Sequence, residues 1–369
     1  CIEFFVEFVG VLQCPFCSGQ KLRKKDSFFR KIKHFSVGTT RTILTIKAHK
    51  FKCRTCLKYF NQRLPGVKPR FQSTQPFREE VALKHHWGMS RRRSAETSGI
   101  SWGSVERCYK SYLENKNSHR KNASCPRVLG IDEKYFTRKK GFMTTFADLK
   151  RHKVYDLVLG RSEKSLEGYL NKMPDKKNCK VVVMDLSETY RSIAKKHLPQ
   201  AMIVADRFHV VKLINHHFLK TWQDLDDIGR KNRGLLSLMR RHEHNLRPEQ
   251  KINLREYLKK NPAIETIYDF KQRFTQLILA RVYSKDQAKK IIPDFIEGIE
   301  KLKTCGLKHL ETLGETMERW SEEIVRMWRF SKTNSITEGL HNRMEEIIRR
   351  AYGFRNFNNF RLRVLEYCS

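Results

Sequence analysis

Two short apolar runs, each stopped abruptly by an acid, organise the middle of the chain. "VVVM" ends at Asp185 and is followed by the polar, helix-compatible "SETYRSIAKKH", and "AMIVA" ends at Asp206 in "AMIVADRFH". β-Branched apolar runs of this length, bounded by polar residues, predict buried and parallel strands. Upstream, "RVLGIDEKYF" and "GFMTTFADLKRHKVYDLVLG" predict three strands turning at "TRKKG" and "KRH", an antiparallel meander whose first strand carries Asp132 and Glu133. A helical stretch, "SEKSLEGYLNKM", separates the meander from the first buried run. From about His216 to Phe330 the pattern is helical: Ile267, Phe270, Phe274 and Leu277 recur at helical spacing, and Pro248, Pro262 and Pro293 punctuate the helices. Beyond it, Asn334 or Ser335 is placed to cap a helix with Glu338 in its first turn.

The first third reads differently. Alternating "RTILTIKAHKFKC" predicts a strand or hairpin that delivers Cys53. "RRRSAETSGISWGSVERCYKSYL" predicts a short polar helix, a turn at Gly99, an N-cap at Ser101 and a second helix with Trp102, Val105 and Tyr109 on one side, the outline of a helix-turn-helix.

Charge narrows the partner. The 369 residues hold 75 Lys and Arg against 39 Asp and Glu, a formal net charge of +36. Such a surplus calls for a polyanion. No apolar run approaches the ~20 residues of a membrane span, so nucleic acid is expected and no membrane. Residues 1–127 hold 27 basic and 8 acidic residues, a surplus of 19, so that end is expected to grip the polyanion first. Arg91, Arg92 and Arg93 beside the second helix make DNA the favoured ligand there, with Trp102 among the contacts. Ten cysteines, four of them in two close pairs, do not form a secreted disulfide framework, so a reducing interior is expected. The chain opens on Cys1 without the basic start and small-residue cleavage site of a signal peptide, and is read as a fragment whose true start lies upstream.

"CPFC" (Cys14, Cys17) and "CRTC" (Cys53, Cys56) have the spacing with which each pair takes two corners of a tetrahedral site, so a structural Zn2+ is expected over a redox pair or idle thiols. Three antiparallel strands followed by alternating helix and strand is the element order of a ribonuclease H-like α/β domain. In such a domain acids from the first strand, the end of the fourth and a later helix converge on two Mg2+ (or Mn2+) ions, which take oxygen ligands and stabilise an in-line phosphoryl transfer. Asp132 and Asp185 fit the first two positions; Asp185 as a helix N-cap is the competing reading. Glu133 points away from Asp132 on a strand, and Glu345 and Glu346 are expected in solvent or paired with Arg349 and Arg350. His209, in "DRFH" with Asp206, is a supporting candidate or a structural histidine. Arg349, Arg350, Arg355 and Arg361, interleaved with Tyr352, Phe354, Phe357 and Phe360, could hold phosphates, although most of the phenylalanines are expected in the core.

"VLGIDE", "VVMDLSETYRSIAKKHLPQAMIVADRFHVVKLIN" and "TNSITEGLHNRMEEIIRRAYGFRNF", behind paired cysteines and a helix-turn-helix, resemble the ISL-three family of bacterial insertion-sequence transposases over nearly the whole chain. The resemblance implies a DDE triad of Asp132, Asp185 and Glu338, and a ribonuclease H-like fold interrupted by an all-helical insertion. It also implies terminal-repeat recognition by the amino-terminal domains. The expected division is residues 1–66 zinc-binding, 70–122 helix-turn-helix, 127–215 first part of the catalytic core, 216–330 helical insertion and 331–369 final core helix. The expected function is metal-dependent strand cleavage and transfer on double-stranded transposon ends and target DNA, by a homo-oligomer in the DNA complex. A DNA-binding regulator with a decayed nuclease-like domain is the alternative, and a plain nuclease or resolvase a third.

Overall fold

The chain separates after His119 in a computed structural model, which describes residues 1–280, 282, 284–330 and 335–368. The two compact units are Cys1–His119 and Arg120–Ser369. The cap expected from Asn334 lies outside the described residues, as does the Ser335 side chain.

The first unit is built on a long hairpin of β2 (Leu22–Val37) and β3 (Thr40–Cys53), with β1 (Ile2–Val6) parallel to β3 and the short β4 (Tyr59–Asn61) antiparallel to it. Gly38 turns the hairpin at φ 59°, a left-handed conformation that glycine adopts without a Cβ penalty. Three helices follow: α1 (Gln75–His86), α2 (Arg91–Ser98) and α3 (Trp102–Lys116). Phe77, Val81, Ala95 and Val105 form their shared core. Gly99, at φ 64°, closes α2, and the Ser101 hydroxyl accepts from Ser104 N–H to open α3. Val105 and Tyr109 are buried as the spacing predicts. Trp102, at the first position of α3, is 65% exposed.

In the second unit β5 (Val128–Thr137), β6 (Gly141–Asp148) and β7 (Lys153–Leu159) form an antiparallel meander, and β8 (Val181–Met184) and β9 (Met202–Ala205) add in parallel, in the order β7-β6-β5-β8-β9. The four residues of β8 are all buried, which a strand covered on both faces requires. Helix α4 (Glu163–Lys172) joins β7 to β8, and α5 (Glu188–His197) joins β8 to β9. After β9 comes α6 (Arg207–Leu225), which runs on into a helical block of α7 (Asp227–Lys231), α8 (Arg233–Arg240), α9 (Pro248–Lys259), α10 (Pro262–Leu279), α11 (Lys285–Lys303), α12 (Lys308–Arg319) and α13 (Ser321–Met327). Pro248 and Pro262 open their helices, where the missing N–H has no partner to lose. Pro293 instead lies inside α11, where it punctuates nothing and deprives a preceding turn of one backbone donor. Two helices close the chain, α14 (Ser335–Arg350) and α15 (Phe357–Tyr367). One hydrophobic core runs from Leu129 and Val182 in the sheet to Phe295 and Trp328 in the helical block. Among the described residues no helix is long and apolar enough to cross a membrane.

Candidate active site

Register sets the carboxylates side by side. Ile131 pairs with Met184 and Met184 with Ala205, so the residues that follow, Asp132 within β5, Asp185 just after β8 and Asp206 just after β9, stand in a row where β8 and β9 end and their pairing with β5 stops. The Asp206 N–H donates to Met184 O at 2.7 Å, extending the last ladder rung to the acids. The carboxyl ends of parallel strands are where α/β sheets collect ligands.

The capping reading of Asp185 fails, because Ser187 opens α5 by accepting from Tyr190 N–H. Asp185 Oδ1 is buried without a hydrogen-bond partner. Asp206 is the acid that caps, accepting from Phe208 N–H at the start of α6. Asp132 and Asp206 are buried, and Asp132 Oδ1 accepts from Glu133 N–H at 2.8 Å. Burial pushes the carboxyls of Asp132 and Asp185 up to about 6, opposed by the nearby His209 charge and reinforced by neighbouring acids. His209 Nε2 lies 3.6 Å from Asp206 Oδ2. Glu133 turns to the other face and pairs with Arg161 at 3.1 Å, yet its charge still reaches Asp185.

Helix α14 crosses β5 on a polar stripe. His341 Nε2 lies 2.9 Å from Thr145 Oγ1 on β6, and its Nδ1 lies 3.7 Å from Asp132 Oδ2. One turn on, Lys134 Nζ donates to Glu345 Oε1 at 2.6 Å. Glu338, three residues before His341, is exposed on the same stripe in the first turn of α14. Beside it Leu340, Met344 and Ile347 bury into the core and fix the roll of the helix. Burial, then Lys134, drives the His341 imidazole down to about 4, so it stands neutral at pH 7. Sequence reasoning missed His341; the signal was a histidine one turn after Glu338 in a helix expected to carry an acid. It also misassigned Glu345, which reaches across to Lys134 while Glu346 pairs with Arg350 at 2.6 Å. Arg361 is likewise not available to phosphate, because it forms a bidentate pair with Asp156 at 2.6 and 2.7 Å. Arg349 and Arg355 are exposed, Phe360 is buried, and Tyr352 projects fully into solvent.

In the first unit the sulfurs of Cys14, Cys17, Cys53 and Cys56 all lie within 4.8 Å of one another. The Cys14–Cys56 and Cys17–Cys53 separations are both 3.6 Å. Tetrahedral bonds of ~2.3 Å to zinc put sulfurs about 3.8 Å apart, so the cluster fits that ion and is too open for disulfides. Ser18 and Leu57, each following the second cysteine of a pair, share a left-handed conformation at φ 58° and 60°. The two knuckles therefore turn alike. Arg91, Arg92 and Arg93 open α2, exposed and paired with Glu106 (Arg91) and Glu96 (Arg92, Arg93). Exposed pairs of this kind contribute at most about 1 kcal/mol and leave the guanidinium groups free to exchange partners.

Comparison with known proteins bears on both units. Residues 129–364 match the family model of the ISL3 DDE transposases, described as transposase, and residues 11–56 match a model described as the zinc-finger of transposase IS204/IS1001/IS1096/IS1165. Among curated proteins, the transposase for insertion sequence element IS1001 of Bordetella parapertussis is 21% identical over 364 residues, covering 96% of this chain and 88% of that protein.

Proposed function

The chain belongs to the ISL3 family of transposases, and from that premise we propose that it binds the terminal inverted repeats of an insertion sequence, cuts a strand to leave a 3′-hydroxyl and joins that hydroxyl to target DNA. In this reading Asp132, Asp185 and Glu338 hold two Mg2+ (or Mn2+) ions. The second unit is a ribonuclease H-like core with α6 leading into a helical insertion. In the first unit, Cys14, Cys17, Cys53 and Cys56 hold a structural Zn2+, and α2 and α3 act as a helix-turn-helix. Arg91, Arg92, Arg93, Trp102, Arg349, Arg350 and Arg355 contact DNA, and the assembly on nucleoid DNA is a homo-oligomer.

The observation that carries the reading is the buried Oδ1 of Asp185, left without a donor beside a second buried carboxyl on the adjacent strand. Two acids this close, each pushed toward its protonated form, are destabilised unless a cation lies between them. Bound there, divalent ions supply Lewis-acid activation of the attacking oxygen and neutralise charge on the leaving one. The chain's own residues do the positioning. Asp132 and Asp185 are fixed by strand register, the neutral His341 holds the acidic stripe of α14 against β5 through Thr145, and His209 is an orienting group beside Asp206. In cleavage a water oxygen bonds to phosphorus as the P–O3′ bond of the element's end breaks and O3′ takes up a proton. In joining, the freed 3′-hydroxyl loses its proton as its oxygen bonds to a target phosphorus, whose own P–O3′ bond breaks, and the target O3′ that leaves takes up a proton. Positioning and charge stabilisation account for catalysis of such a step.

Incubating the purified chain with end-containing duplex and Mg2+ tests the reading. The expected result is nicking at the repeat boundary that disappears in Asp185→Asn. Binding of ends with no cleavage by the unaltered chain would leave the DNA-binding regulator instead.

A further inference from the structure

The first third of the chain does not hold most of the positive charge. Arg120–Ser369 carries 51 Lys and Arg against 31 Asp and Glu, a surplus of 20. Part of it is gathered in one place, at the pole of the sheet opposite the carboxylates. There a depression of about 600 Å³ is lined by Arg127, Lys150, Arg151, Lys177 and Lys180, with Asp148 the one acid in its wall. The Asp148 carboxylate is engaged: its Oδ1 accepts from the N–H groups of Lys150 and Arg151 at 3.0 and 3.1 Å. All five basic side chains are exposed, and among the described residues the closest ion pair any of them makes is Arg151 to Asp148 at 4.0 Å.

The placement is set by strand register. Arg127 and Lys180 immediately precede the paired residues Val128 and Val181, so each stands five residues before its aspartate, Asp132 or Asp185. Five residues of strand span roughly 16 Å, on the order of five base pairs of duplex. Lys150 and Arg151 reach the same spot from the β6–β7 turn, and Lys177 from the segment entering β8. Three separate chain segments thus bring five exposed cations to one concavity, with a single long contact to Asp148 as their ion pairing among the described residues. Converging like charges repel, a cost that a folded protein removes by bringing an anion to them. Resting on the reading of the chain as a DNA-handling enzyme, we propose that this pole is a second DNA site, which takes the phosphate backbone of a duplex segment other than the one at the carboxylates, without regard to sequence.

The test is the salt dependence of binding to a duplex of arbitrary sequence, without divalent metal, by the full chain. Each phosphate contact contributes about 0.9 to the slope of log K against log salt, so Lys150→Gln/Arg151→Gln/Lys177→Gln should lower the slope by about 2 to 3. An equal loss of charge on the helical block, Lys259→Gln/Lys260→Gln/Lys290→Gln, should leave the slope unchanged. Thermal unfolding of both triple variants should match the unaltered chain, since the replaced side chains are exposed. No fall in the pocket variant, or an equal fall in both, overturns the proposal. Because this readout needs no cleavage, failure of the transposase reading would appear separately, as an unaltered chain that binds duplex but never nicks it.

Discussion

His341 stands between Asp132 and Thr145, its Nδ1 3.7 Å from the carboxylate and its Nε2 2.9 Å from the hydroxyl. It joins the helix that carries Glu338 to the two strands beside it. Its removal should therefore misplace an acid without unfolding the sheet. We expect His341→Ala to lower end cleavage by on the order of 10²-fold, the cost of a small misplacement of catalytic groups, while end binding stays intact. His341→Gln, which can still bond Thr145, should recover part of the rate. A loss of cleavage that merely tracks loss of folded protein would count against the positioning role.

The four-cysteine cluster sets a second expectation. Elemental analysis of the full chain should find about one zinc, and Cys53→Ser should lose it. Cys53 closes β3 while Cys56 lies in the turn to β4, so zinc loss should loosen the end of the hairpin and expose it to protease. A folded amino-terminal unit with no metal would sink the assignment.

Replacing Arg91, Arg92 and Arg93 with Gln should weaken binding to every sequence and reduce the salt slope by about 2 to 3. Replacements on the exposed face of α3, such as Trp102→Ala, should instead relax the choice between repeat and unrelated DNA. Equal loss of specificity from both sets would contradict the division of labour between the two helices.

Lys271 allows a prediction independent of DNA. It is 2% exposed, donates to Met239 O at 2.8 Å near the end of α8, and burial lowers its ammonium to about 8. A base with a folded pKa below its unfolded one binds fewer protons when folded, so stability rises as pH climbs from about 8 to about 10.5. Below pH 8 the cost is fully present, at most about 3 kcal/mol. Lys271→Met should lack that rise. Denaturant midpoints of the two proteins at pH 7 and pH 10 decide it, and parallel pH profiles would show that the two carbonyl contacts, to Met239 and Arg240, offset the burial.

The legible parts of the molecule were those where the period of the pattern alone fixes the outcome. "VVVM" reads as a strand because all four residues are buried, and Asp185 follows at its end. Paired cysteines announce a metal because the spacing is the geometry. Partnerships across long stretches of chain were not legible. His341 and Thr145 are 196 residues apart, Lys134 and Glu345 211, Arg361 and Asp156 205, and nothing local to either partner names the other. Helical spacing puts Trp102, Val105 and Tyr109 on one face, but only packing decides how far along the helix that face is covered, and it leaves Trp102 exposed.

Asp185 and Asp206 remain the sharpest choice the site offers, since each ends an apolar strand and they are neighbours across β8 and β9. Their side chains differ in what they already do. Asp206 is the N-cap of α6 and lies beside His209, whereas the cap of α5 is Ser187 and Asp185 keeps a buried oxygen with no donor. An acid engaged with its own helix has less to offer a cation. Asp185 also adjoins Asp132 directly, while Asp206 is one strand further out. Asp185→Asn should therefore abolish cleavage, leave end binding unchanged and stabilise the fold, because it removes a desolvated carboxyl from beside another. Asp206→Asn should cost little, since Asn caps a helix about as well as Asp, and Asp206→Ala should lose about 1 kcal/mol of stability with cleavage held within roughly tenfold. Nicking rates and thermal midpoints of the three variants, measured together, separate the roles. A folded Asp206→Asn that cannot cut, next to an Asp185→Asn that can, would move the metal site one strand outward.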